Sequence, residues 1–208
     1  MFESLTLETG DGLSLEAELH PARTASPRAG MVICHPHPQY GGSMRSLVVG
    51  ALVQALPASG VSCLRFNFRG VGGSAGAWDE GDGESLDVLS AVRALDAILA
   101  PATPLLLAGW SFGADMALAT PDARIAGWLA IAPPLRYSDG NAVAHLPHPK
   151  LVVLAEHDEV RPPAEVTGIT GAWTATDTVI VPGASHFFMG RTDHLVELAR
   201  SFVEQFTA

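Results

Sequence analysis

The feature that most constrains this chain is the alternation of short apolar runs with amphipathic segments that begins near residue 30. "GMVICHPH" (30–37), "VSCLRFNF" (61–68), "PLLLAGW" (104–110), "IAGWLAIA" (125–132), "PKLVVLAEHD" (149–158) and "DTVIVPG" (177–183) read as strands. The first is a continuous apolar run of the kind buried on both faces of a parallel sheet. Helical spacing fills most of the intervals: 46–60, ending near Pro57 and Gly60; 83–100, with acids at its start where the helix dipole favours them; 111–119; 163–173; and 193–206, with Leu195, Leu198, Phe202 and Phe206 on one face. Ahead of this pattern, residues 5–20 alternate apolar and polar on both sides of Gly10-Asp11-Gly12, which predicts a hairpin of half-exposed strands. Strands and helices in this order predict an α/β fold, a largely parallel sheet with helices on both faces.

At 208 residues the chain is the size of one domain, expected over residues 1–208, with no repeat, linker or low-complexity stretch. A net charge of −10 argues against partners that present phosphate, so neither nucleic acid nor an anionic membrane surface is expected to bind. Cys34 and Cys63 both sit in apolar strand-like runs and read as buried free thiols in a reducing compartment. The N-terminus lacks the basic start and apolar run of a signal peptide, and no apolar run reaches membrane-spanning length, so the expected location is the cytoplasm.

Chemistry concentrates where strands end. "LLLAGWSFGADMALA" (105–119) passes straight from an apolar strand into a small-residue helix, with Ser111 at the corner inside Gly109-Trp110-Ser111-Phe112-Gly113. Small residues at 109 and 113 let strand and helix approach closely, and the corner leaves the serine exposed at the carboxyl edge of the sheet. A serine hydroxyl needs a base, and the base needs an orienting carboxylate. His186 is the one histidine just past the final strand, in "VPGASHFFMG". "LVVLAEHDEV" delivers acids at another strand end. Asp158 is the best placed of Glu156, Asp158 and Glu159, with Glu156 as the alternative.

Acyl transfer also requires donors for an oxyanion. The backbone N–H of Phe112 follows the serine. In "HPHPQYGGS" Pro36 and Pro38 have no N–H, which leaves His37 as the second donor. Two competing motifs are weak. His35 and His37 as metal ligands lack a third partner, and no metal or cofactor is expected. "GVGGSA" (70–75) resembles a dinucleotide-binding turn, but the acidic "GAWDEGDGE" follows instead of a helix.

With these residues in view the chain resembles the α/β-hydrolase superfamily. More narrowly, it is similar to compact bacterial hydrolases of the dienelactone hydrolase-like group. "HPHPQYGGSM", "RFNFRGVGGSAGAWDEGDGE", "GWSFGA", "AEHDEV" and "GASHFF" carry the resemblance across nearly the whole chain. The resemblance implies a three-layer sandwich with about eight strands and a triad of Ser111, Asp158 and His186. It also implies His37 and Phe112 as oxyanion donors. Ala155 stands where the turn before the acid usually opens with glycine. Dienelactone hydrolases proper use cysteine where Ser111 stands here. The connection 133–150 is too short for the cap domain of many relatives, so an open site is expected, with Tyr40, Trp110, Phe112, Leu135, Phe187 and Phe188 forming a shallow apolar wall. The expected activity is a carboxylesterase acting on small or short-chain esters. Thioesterase, peptidase or acyltransferase chemistry on the same triad is the alternative, as is a scaffold that binds without catalysis.

Overall fold

A computed structural model describes residues 2–206. The opening segment forms the expected hairpin, β1 (Glu3–Glu8) paired antiparallel with β2 (Ser14–His20), Glu3 opposite Leu19 and Glu8 opposite Ser14. The apolar positions of its alternating pattern, Leu7, Leu15, Ala17 and Leu19, are buried.

The remaining strands are β3 (Ala29–Cys34), β4 (Val61–Phe66), β5 (Leu105–Trp110), β6 (Ile125–Ile131), β7 (Lys150–His157) and β8 (Thr176–Ser185). Eight strands lie in the order β1-β2-β4-β3-β5-β6-β7-β8. Both pairings of β2 are antiparallel and every pairing from β4 to β8 is parallel.

Helices cover both faces. Against one face pack α2 (Asp82–Ile98), α3 (Phe112–Leu118), the single turn α4 (Asn141–Ala144) and α5 (Pro163–Thr170), through side chains such as Val88, Leu95, Phe112, Val143 and Val166. Against the other pack α1 (Leu47–Ala55) and α6 (Thr192–Glu204), through Val48, Leu52, Leu195, Ala199 and Phe202. The central strands β3, β4 and β5 are buried along their whole length, and β3 and β5 read as continuous apolar runs for that reason.

Several boundaries differ from the sequence pattern. β3 stops at Cys34, short of His37, because Pro36 and Pro38 cannot donate to a ladder and the chain turns into a single 3-10 turn, Pro38–Tyr40. β8 continues past Gly183 to Ser185. The connection from β6 to β7 contains α4, which the pattern did not predict, and nothing larger, so no cap domain covers the sheet.

The residues resembling a dinucleotide turn run through a series of turns, and α2 begins only at Asp82. Among the described residues no helix is long and apolar enough to cross a membrane. Cys34 and Cys63 are free and buried, and burial pushes both thiols up, which removes them as nucleophiles.

The strand order reverses between β3 and β5. From β3 the chain crosses to β4 on one side, then returns by α2 to β5 on the other. Open α/β sheets form a crevice at the carboxyl ends of strands flanking such a reversal. The loops after β3 and β5 both open into it.

Candidate active site

Ser111 occupies the one-residue corner between β5 and α3 with φ 55 and ψ −123, a conformation rare for a residue with a Cβ. The surrounding fold holds it there. Its N–H donates to Ile131 O at 2.8 Å, and its carbonyl accepts from Ala114 N–H at 2.8 Å. The flanking glycines are required by close approach. A Cβ on Gly109 would lie 2.1 Å from Gly113 O, and one on Gly113 would lie 2.4 Å from Cys34 O. The motif thus wedges the start of α3 between β5 and the end of β3.

His186 follows β8 by one residue. Its Nε2 is 2.9 Å from Ser111 Oγ. Its Nδ1 is 2.9 Å from Asp158 Oδ2 and 3.0 Å from Oδ1. Asp158 follows β7 directly, where the β7–β8 register shifts between Ala155 and His157. Such an irregularity re-aims a strand end. Asp158 Oδ1 accepts the N–H groups of Val160 (2.9 Å) and Arg161 (3.0 Å). Burial pushes its carboxyl up, but the hydrogen bonds from His186 and from those backbone donors outweigh burial and hold it below the ordinary carboxylate value.

The neighbouring acids do other work. Glu156 accepts Gly183 N–H at 2.7 Å and Glu159 accepts His186 N–H at 3.1 Å. Of the three acids only Asp158 bonds the imidazole. Ser111 and His186 are buried but border a cleft, at 8% and 4% exposure.

That cleft has a volume of about 740 Å³ and is bordered by Ser111, His37, Phe112, Tyr40, Trp110 and Phe187, all anticipated from the sequence. Among the described residues no protein acceptor takes the backbone N–H of His37 or of Phe112. Two fixed donors beside the serine therefore remain available to a ligand. Trp110 Nε1–H donates to His186 O at 3.1 Å, which ties the β5 end to the histidine loop.

Leu135 and Phe188 do not wall the cleft. Phe188 is wholly buried against the α1 and α6 side. Leu135 is turned into the opposite core with φ 51. The cause is Asp115, a buried acid one turn into α3. Its carboxylate accepts the N–H groups of Leu135 (2.9 Å), Arg136 (2.9 Å) and Tyr137 (3.1 Å). Clamped there, the chain after β6 points Leu135 inward and presents Arg136 and Tyr137 to the cleft. Burial, opposed by those three donors, pushes Asp115 up to about 6.

Sequence reasoning missed Tyr137, Arg136, Val160 and Leu47 as lining residues. It also missed Trp78, whose ring packs on His37 and Phe112 with centroids 4.5 and 5.0 Å apart. One signal was available: Asp115 is the lone charge in an otherwise apolar helix, and such a residue needs partners.

His35 and His37 do not share a site. His35 is fully buried; its Nε2 accepts Phe68 N–H at 3.0 Å and its Nδ1 lies 2.6 Å from Pro36 O. Burial pushes it down to about 4. A histidine that stays neutral when folded but protonates when unfolded removes stability as pH falls from about 6.5 to about 4, by up to about 3 kcal/mol. Asp115 acts with the opposite sign, because the folded form takes up its proton first, between about 6 and 3.8. The two contributions oppose each other in wild type. His35→Gln should therefore gain stability relative to wild type as pH drops from 6.5 to 4. Urea unfolding midpoints across that interval check this, and parallel curves for the two proteins would contradict it.

No family model matches the chain. It is 32% identical over 194 residues to the uncharacterized protein RP471 of Rickettsia prowazekii (strain Madrid E), covering 88% of this chain and 82% of that protein. Among solved structures it is similar to an α/β serine hydrolase homologue from Coxiella burnetii, with 34% identity, 96% of each chain covered and a TM-score of 0.87. It is also similar to XC6422 from Xanthomonas campestris, described as an α/β serine hydrolase without lid, with 31% identity, 99% of this chain and 95% of that chain covered, and a TM-score of 0.89.

Proposed function

Since the chain belongs to the α/β-hydrolase superfamily, alongside members that carry no lid, we propose that it is a serine esterase acting on small or short-chain carboxylic esters. The observation that carries this reading is the continuous line from Ser111 Oγ through His186 to Asp158, with both links at 2.9 Å. In the reaction, His186 Nε2 takes the serine proton as Oγ attacks the ester carbonyl. Asp158 holds the ring through Nδ1–H and stabilises the imidazolium. The unclaimed N–H groups of His37 and Phe112 receive the oxyanion, fixed in place before the charge develops. His186 then protonates the leaving alcohol. Water, deprotonated by the same imidazole, releases the acid from Ser111.

The size of the cleft suits a small molecule. Its open form favours modest acyl groups, and the exposed rings of Tyr40 and Phe187 supply an apolar border. The chemistry described uses only side chains and backbone. The expected partner is the ester substrate alone, and the expected compartment is the cytoplasm.

A panel of esters, thioesters and amides sharing the same acyl groups tests this assignment through kcat/KM. Esters are expected to lead, with rates falling as the acyl chain lengthens. A panel led by thioesters or amides would overturn the esterase reading while keeping the nucleophile.

A further inference from the structure

The loop after β3 carries a hydrogen-bond chain whose direction is fixed at its start. A backbone N–H can only donate, and Gln39 N–H points at His37 Nδ1, 3.2 Å away. Nδ1 therefore accepts and the ring proton sits on Nε2. Nε2 lies 2.7 Å from Tyr137 Oη, so the imidazole donates and the phenol accepts. The phenolic proton is then the end of the chain. Among the described residues nothing accepts it.

The phenol is built into its place. Its backbone N–H is held by the buried Asp115 carboxylate. Its ring packs edge-to-face with His37, Trp78 and Phe112, with centroids 5.2, 5.6 and 5.0 Å away. The side chain borders the same cleft as Ser111 and is 38% exposed. A hydroxyl that accepts from a ring N–H is also a better donor, because each bond in such a chain polarises the next.

We propose that the Tyr137 hydroxyl is a specificity-determining donor. On this inference the preferred substrates are esters that carry, apart from the reacting carboxyl, a second oxygen able to accept its hydrogen bond, such as a ketone or an ether. The inference rests on the esterase reading above and assigns a substrate class to that site. A plain hydrocarbon ester offers the phenolic proton no acceptor; an acceptor-bearing ester completes the chain from Gln39 to substrate.

Two pairs matched in chain length test it. Ethyl 4-oxopentanoate against ethyl pentanoate places the oxygen in the acyl half. 2-Ethoxyethyl acetate against pentyl acetate places it in the alcohol half. Each kcat/KM is divided by that ester's own rate of alkaline hydrolysis, and Ser111 labelling by a fluorophosphonate is measured on the same preparations. Wild type is expected to prefer the acceptor-bearing member of at least one pair by about tenfold, and Tyr137→Phe to erase that preference.

Equal rates within both pairs for wild type would overturn the inference. So would a Tyr137→Phe protein that loses activity on both members alike, because a tyrosine that only steadied the His37 loop would scale all esters together. If wild type neither hydrolyses the esters nor labels at Ser111, the esterase reading itself fails. Labelling with hydrolysis but without preference fails this inference alone. A Tyr137→Phe preparation that does not label is replaced by Tyr137→Trp, which keeps a large ring without the hydroxyl and is read by the same ratio.

Discussion

Ser111→Ala is expected to lower kcat by at least about 10⁵-fold on any ester the wild type hydrolyses, and to abolish labelling by a fluorophosphonate. The size follows from what the hydroxyl does. Without Oγ no acyl-enzyme can form, and the donors and the cleft are left to assist only direct attack by water. The effect on the fold should be small by comparison. Alanine keeps the Cβ and the backbone of the corner, including its bonds to Ile131 and Ala114, and among the described residues Oγ hydrogen-bonds only to His186. Retained labelling in the alanine protein, with unchanged thermal unfolding, would mean that the nucleophile lies elsewhere.

Asp158→Asn is the second large effect, about 10⁴-fold in kcat. The carboxylate accepts from His186 Nδ1 and from two backbone N–H groups, and it has no proton to give. An asparagine amide turned to keep those backbone bonds presents its NH₂ to Nδ1. The imidazole then shifts its proton to Nε2, the atom that must be bare to accept from Ser111. Size and shape barely change, so the loss is one of proton placement.

Glu159→Gln supplies the contrast. Its Oε1 can still accept His186 N–H, and a change of no more than a few-fold is expected. Steady-state kinetics on the two proteins decide which acid serves the base. If Glu159→Gln were the damaging change, the role of Asp158 would be overturned.

The architecture was legible because burial on two faces and burial on one leave different patterns. β3 and β5 are uninterrupted apolar runs because helices cover both sides, whereas β1 and β2 alternate because the hairpin stands at the sheet edge. The residues that meet at Ser111 were legible for a related reason. A residue placed directly after a strand sits at the carboxyl edge, and β5, β7 and β8 end there with positions 111, 158 and 186.

What was not legible depends on contacts that no period encodes. Leu135 has the composition of a wall residue, yet it faces the core because Asp115, twenty positions earlier, holds the turn by its N–H groups. Tyr137 reaches the cleft for the same reason. Trp78 comes from a stretch of glycines and acids with no regular spacing, and only the folded path of 70–81 brings its ring to His37 and Phe112.

The positions of β5 and β8 in the chain carry a consequence for biosynthesis. Ser111 and His186 are 75 residues apart in sequence, and β8, which delivers the histidine, is the final strand and lies at the outer edge of the sheet. Synthesis runs from the N-terminus, so Ser111 is polymerised before His186, although a domain folds as a unit. On the proposed mechanism, Ser111 stays a mute hydroxyl until β8 takes its place beside β7 and brings in the imidazole.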